Sequence, residues 1–409
     1  MSDQTILRAL AARVRELAEA PLMAERRRLW REHNALRSAR PMVLAFPEGA
    51  WDELLGLDQC SCQDEQLRHW ELALRRTIYT SEQIGDDQPV EPYFSLNWRV
   101  QVSDYGVQIP RAQGDNRGSF VWDPPIKDLD RDFANLRPRT FSVDRAGTQR
   151  DLARAHELFG DLLPPRLRGN FWWTAGLTQT LAYLVGIEEI MLAMIDQPDA
   201  VHRLMAFLRD DMMSFIDWTE QQGLLTPGAE DQYVGSGGLA YSDELPVGDP
   251  AQSAAVNHRD RWGFAESQET VGISPTMFAQ FIMPYQKPLL ERFGLNCYGC
   301  CEGLEHRIDV VMREVPRLRR VSVAPKADQA VLAQKLAGRC IFSRKADPVP
   351  VCVDFSPDAI RRDLRHTLDV ARGQSLEIIL KDTHTVQREP WRIGRWVQLA
   401  REEIARTTG

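Results

Sequence analysis

Over residues 1–90, apolar positions recur at helical spacing between charged faces, as in AERRRLWREH and SCQDEQLRHWELALRRTIY, which predicts a helical N-terminal extension. Beyond it the pattern changes. Short segments rich in β-branched and aromatic residues alternate with longer helical stretches, the rhythm of βα units around a parallel sheet. Eight candidate strands fall at 92–98, 168–173, 224–234, 261–268, 295–302, 319–324, 340–345 and 376–384. Eight such units predict an α/β fold, a TIM (β/α)₈ barrel occupying 91–409 as one domain. The interval between the first two strands is too long for one crossover, and its 100–110 and 119–123 pieces read as an inserted hairpin arm. Ser274-Pro275 and Ser356-Pro357 each set a capping hydroxyl before a proline at the first helical position, so helices are expected to begin there.

Composition narrows the function classes. The 409 residues are 43% hydrophobic, enough for a large core, and carry a formal charge of -8. No stretch interleaves clustered Lys and Arg with aromatics, which sets nucleic acid aside. No window approaches the roughly 18 apolar residues of a membrane span, and the amphipathic N-terminus lacks a leader pattern, so a cytosolic protein is expected. Seven cysteines, three of them at Cys297, Cys300 and Cys301, suggest reduced thiols used for metal or redox chemistry rather than a disulfide framework.

In a barrel, polar residues that end apolar strands converge on one pocket. Four late segments end this way: Glu266 to Glu269, Cys297 to Glu302, Ser343 to Lys345, and Lys381 to His384. Cys300, Cys301, Glu302 and His384 make a borderline-soft ligand set that suits Zn²⁺ better than Mg²⁺ or Ca²⁺. Alternation within a strand puts Cys300 and Glu302 on one face and admits Cys301 only if the strand has already ended. The competing reading makes the cysteines small core residues and His384 a loop histidine; a Cys297/Cys300 redox pair is a third. Glu266 interrupts an aromatic strand, where burying a charge is costly, and with Asp231 it is a candidate for orienting substrate or moving a proton. Trp98, Trp172, Trp173 and Trp262 are candidate pocket walls, with core filling explaining Trp172 and Trp173 at least as well, and Tyr298 and Gln268 join them as candidate substrate-binding residues. Arg344 and Lys345 are candidate anion binders, and His306 a reserve ligand. The Val234-Gly235-Ser236-Gly237-Gly238 run lacks the marks of a phosphate loop and reads as a tight turn beside the pocket.

The stretches Asp231 to Gly238, Trp262 to Glu269, Tyr298 to Glu302, Phe342 to Lys345 and Leu380 to Thr385, in that order, resemble the uroporphyrinogen-decarboxylase-like superfamily, especially its branch akin to corrinoid-dependent methyltransferases. The resemblance runs from Leu177 to the C-terminus and implies a TIM barrel. It also implies zinc and methyl transfer between a small methylated compound, an ether or amine, and a small separate corrinoid protein. Tyr298 stands where that branch has a zinc-binding histidine, so Glu302 or Cys301 is needed as a replacement for it. Asp382-x-His384 is followed by Gln387 rather than by the glycine of a cobalamin-binding motif, and only 22 residues remain, which argues against a corrinoid domain within the chain. The alternative is a metal-free decarboxylase or lyase that grips carboxylates with Arg344 and Lys345, although the arginine-rich N-terminal segment of true uroporphyrinogen decarboxylases is missing. A non-enzymatic binding subunit is the third reading, and a homodimer stays open.

Overall fold

Six apolar segments pair side by side: β1 (Met42–Ala45), β2 (Trp262–Ala265), β3 (Leu295–Tyr298), β4 (Leu318–Val323), β5 (Ile341–Lys345) and β6 (Leu376–Leu380). Every pairing is parallel, in the order β2-β3-β4-β5-β6-β1. The structure, a computed structural model, describes residues 1–113, 120–228, 230–245 and 256–408. Helices fill the crossovers, among them Pro275–Phe281 and Met283–Leu290, Ile308–Glu314, Gln329–Leu336, and Pro357–Val370. Both proline-led starts are capped as expected, with Ser274 Oγ accepting from Met277 N at 3.2 Å and Ser356 Oγ from Ala359 N at 3.4 Å.

Strand alternation divides the sheet into two faces. Val43, Ala45, Ala265, Tyr298, Val321, Phe342 and Ile378 pack into the large core that includes the helices. The opposite face carries Met42, Leu44 and Ile379 at one side and Trp262, Phe264, Leu295 and Cys297 at the other. Between these apolar groups lies a buried polar chain. Glu377 pairs with Arg320 at 3.0 Å and with His33 at 3.0 Å, and the Ser343 hydroxyl donates to the same carboxylate. Lys345 Nζ donates to Ser343 Oγ at 2.6 Å.

The eight-strand count needs correction. Met42–Ala45, inside the stretch expected to be mostly helical, is an edge strand paired with β6, and the helices Asp3–Glu19, Pro21–Asn34 and Glu65–Tyr79 surround it in sequence. Segment 92–98 contains Phe94–Asn97, whereas the strand near 168–173 is Pro165–Arg168 and shares only Arg168 with that segment; the two strands pair in parallel with each other and not with the six-stranded sheet. Segment 224–234 is interrupted at Pro227 and Gly228, and among its described residues only Tyr233–Val234 forms a strand, antiparallel to Gly238–Leu239. Among the described residues, six strands therefore form the main sheet where a closed ring of eight was expected. The inserted arm is present in part: Arg111–Gln113 pairs antiparallel with Phe120–Trp122, and Val100–Val102 with Phe141–Val143, while 114–119 lie outside the described residues. No single helix among the described residues is long and apolar enough to cross a membrane.

Candidate functional site

Strand β3 ends at Tyr298 because Gly299 takes φ +92, a left-handed conformation in which a Cβ would fall 2.6 Å from Leu304 Cδ1. Alternation stops there, so both following thiols point to one place, with Cys300 Sγ and Cys301 Sγ 3.5 Å apart. Ser322 Oγ on β4 anchors the turn by donating to Cys300 O at 2.9 Å, and Lys381 Nζ, just past β6, stands 3.8 Å from Cys300 Sγ. Cys300 is buried and Cys301 exposed. The hydrogen bond between the sulfurs, then burial, pushes the Cys300 thiol up; the same bond lowers Cys301, with Lys381 helping. The pair thus holds one thiol and one readily formed thiolate.

Glu302 does not face these sulfurs as a free ligand. Its Oε1 accepts from Ser267 N at 2.9 Å and its Oε2 from Cys300 N at 2.8 Å, so the carboxylate staples the loops after β2 and β3 together. His384, expected beside the cysteines, instead joins Glu48 and Asp382, the three ligand atoms lying within 4.8 Å of one another. Glu48 follows β1 and was missed from sequence because its segment was read as helical. Asp382 N donates to Glu48 Oε2 at 2.9 Å, and a Cβ on Gly49 would lie 2.9 Å from His384 Nδ1, so a glycine is what lets the imidazole approach. Burial raises the Glu48 carboxyl against the opposing pull of Lys381. Lys381 Nζ also lies 3.7 Å from Asp382 Oδ1, which places one ammonium between the thiol pair and the carboxylate group.

A cavity of about 190 Å³ runs along edge strand β2, walled by Trp172, Trp173, Tyr233 and Phe264 and closed at the start of the strand by His258 and Arg261. Its roof is the turn foreseen from the glycine run: Gly235 has φ +65, and a Cβ there would fall 2.4 Å from the Phe264 ring. Tyr233 joins the cavity to the charged groups. Its ring meets Phe46 edge-on at 4.8 Å, and its hydroxyl is raised by burial first and then by the nearby charges of Glu48, Cys300 and Asp382.

Neither a sequence model of a protein family nor a curated protein matches this chain. Among solved structures the fold is similar to that of a methyltransferase from Methanosarcina mazei. The TM-score is 0.51 over 92% of this chain and 97% of that one, at 12% sequence identity. That likeness speaks for the fold.

The remaining predicted residues divide by face. Trp173 lines the cavity, as do Trp172 and Trp262. Tyr298 points into the helical layer, where its hydroxyl donates to Gln286 at 2.7 Å, and Arg344 does the same, bonding Asp363 at 2.8 Å and Ala324 O at 2.7 Å; neither reaches the cavity. Lys345 lies on the opposite face, its pKa pulled down to about 8 by burial against the attraction of Glu377. Trp98 sits under Arg145 at 5.6 Å, outside the site. Asp231 is taken up by Arg168 and by Tyr93, whose hydroxyl donates to it at 2.8 Å. Glu266 is fully buried with Oε1 unpartnered, and burial, then Glu269 and Glu302, raise its carboxyl well above the ordinary carboxylate value. Gln268 donates to Glu269 at 3.1 Å and His306 is exposed in the turn beyond Glu302.

Proposed function

We propose that this chain is a methyltransferase that moves a methyl group between a small methylated compound, an ether or amine, and the corrinoid of a separate small protein, with zinc assisting. The observation that carries the reading is the convergence, past the carboxyl ends of β1, β3 and β6, of the Glu48, Asp382 and His384 group with the Cys300 and Cys301 thiols. The donor set fits zinc: one imidazole and the oxygens of two carboxylates are atoms it takes. Glu48, Asp382 and His384 would hold the ion, with the thiol pair reaching this group through Lys381; Glu302 is withdrawn from that role by its two backbone hydrogen bonds. Bound there, zinc supplies Lewis acidity to the oxygen or nitrogen that loses the methyl group. The chain's own groups do the rest. Trp173 and Phe264, rings 5.4 Å apart, shield the substrate from water, and Tyr233 positions it toward the charged groups. Lys381 balances the Cys301 thiolate.

The rival decarboxylase reading is weakened, because Arg344 is committed to Asp363 in the helical layer. Metal analysis of the purified protein is expected to give about one zinc per chain, lost in both Glu48→Gln and His384→Ala. Cobalamin absorbance should then report methyl transfer from trial ethers and amines by the wild type alone. Full transfer by zinc-free protein, or by His384→Ala, would overturn the assignment.

A further inference from the structure

Arg261 is buried at the head of β2 and lines the cavity, yet among the described residues no carboxylate lies within ion-pair distance of it. Its guanidinium donates only to neutral oxygens: Thr226 O at 2.7 Å, Asn170 Oδ1 at 3.0 Å and Gln232 Oε1 at 3.2 Å. A guanidinium carries five N–H donors, and these contacts use three. The neighbouring Arg168 offers no relief, since it repels Arg261 and is itself balanced by Asp231. Burial brings Arg261 down to about 10, still a cation at neutral pH. A buried charge without a counter-ion is costly unless something answers it.

A second group beside it also lacks a partner. His258 is 1% exposed, its Nε2 lies 3.0 Å from Ile216 O, and its Nδ1 bonds nothing. Burial, then Arg261, lowers its pKa to about 3, so the ring is neutral; with the proton on Nε2, Nδ1 is a bare acceptor at the cavity wall. The rest of the wall is aromatic. A cavity of roughly 150 Å³ holds one benzene ring, so 190 Å³ accommodates one ring and a small polar group.

We propose that this cavity binds a small planar carboxylate of one six-membered ring, its carboxylate on Arg261 and its ring against the aromatic wall that Trp172, Trp173 and Phe264 form together. Arg261 and Phe264 stand three positions apart, about 10 Å at the rise of a β-strand, so the far end of such a ligand reaches Tyr233 and the groups beyond it. The inference rests on the methyltransferase reading only in taking this ligand for the methyl donor; the binding itself does not.

Titration calorimetry on the full chain with benzoate, and with benzyl alcohol as its neutral counterpart, tests it. Benzoate should bind at least tenfold more tightly than benzyl alcohol, and Arg261→Gln should erase the difference. Because Arg261 is buried and its replacement can disturb folding, Trp173→Ala at the half-exposed wall is the second variant, expected to weaken benzoate about tenfold while leaving the unfolding temperature in place. Equal affinity for the two ligands, no saturation by benzoate at about 20 mM, or an unaltered benzoate affinity in a folded Trp173→Ala protein would each overturn the proposal. Benzoate binding by a protein that moves no methyl group from methoxybenzoates to cobalamin would sink the methyltransferase reading and leave this one standing.

Discussion

Cys300→Ala isolates the interaction that distinguishes the two thiols. The substitution removes the S–H that faces Cys301 Sγ at 3.5 Å, while the loop keeps its anchors, because Ser322 bonds the Cys300 carbonyl and Glu302 bonds the Cys300 backbone N–H. A hydrogen bond to a charged acceptor contributes about 1.5–3 kcal/mol, and a thiol is a weak donor, so the lower end applies. With 1.36 kcal/mol to a pKa unit, Cys301 should rise by about one unit toward its ordinary value. At a pH below both values its thiolate fraction falls about tenfold. Chelator-treated protein is alkylated with iodoacetamide across the pH range and modification at residue 301 is followed by peptide mass. Cys301 is the exposed cysteine of the chain, so it reacts first. An unmoved midpoint, or one displaced to lower pH, refutes the pairing of roles; Lys381→Met should move the midpoint in the same direction by a smaller amount, because its charge is the secondary influence.

Three further outcomes follow from the surrounding structure. Glu377 is held as a carboxylate, down to about 2, because Arg320 and then His33 outweigh the cost of burial; Glu377→Gln should cost about 3–5 kcal/mol in denaturant unfolding by stranding Arg320 and Lys345. Glu266 has a folded pKa raised well above its unfolded value. Its contribution is therefore fully present below the unfolded value and lost as pH rises toward the folded one. The melting temperature of Glu266→Gln relative to wild type should accordingly climb between acid and alkaline pH, and parallel pH profiles would contradict a raised Glu266 carboxyl. Gly235→Ala meets both a left-handed backbone and the Phe264 ring, so it should destabilise by about 1–3 kcal/mol and weaken cavity ligands, measured by thermal melts and calorimetry.

The alternation of apolar strands and amphipathic helices was enough to read a parallel α/β sheet, since β2, β3, β5 and β6 fall inside predicted segments and β4 begins one residue before its own. β1 escaped because a four-residue apolar run between charged helices has no periodicity of its own, and its place is set by pairing with β6 more than 330 residues away. With β1 went Glu48 and hence the group that gathers His384. The thiols were legible as polar residues at a strand end. That both reach the mouth depends on Gly299, whose left-handed φ ends the alternation that would have turned one of them away.

Side-chain parity is where sequence is weakest in a parallel sheet, because both faces are buried and no polar alternation marks them. Ser343, Arg344 and Lys345 are all buried, and nothing in their order says which face each takes; partners decide it. Arg344 finds Asp363 and Ala324 O behind the sheet, so its charge is spent on holding a helix, while Lys345 turns to Ser343 within the Glu377 chain. Arg261, like Arg26 and Arg307, is a buried cation with no ion pair among the described residues, and of the three it is the one that lines the cavity, at the head of β2, where a helix-spaced or strand-spaced pattern gives an arginine no special standing. An anion-binding role assigned from sequence to the end of β5 therefore belongs, on physical grounds, at the opposite end of β2, where desolvation without a counter-ion makes an incoming carboxylate favourable.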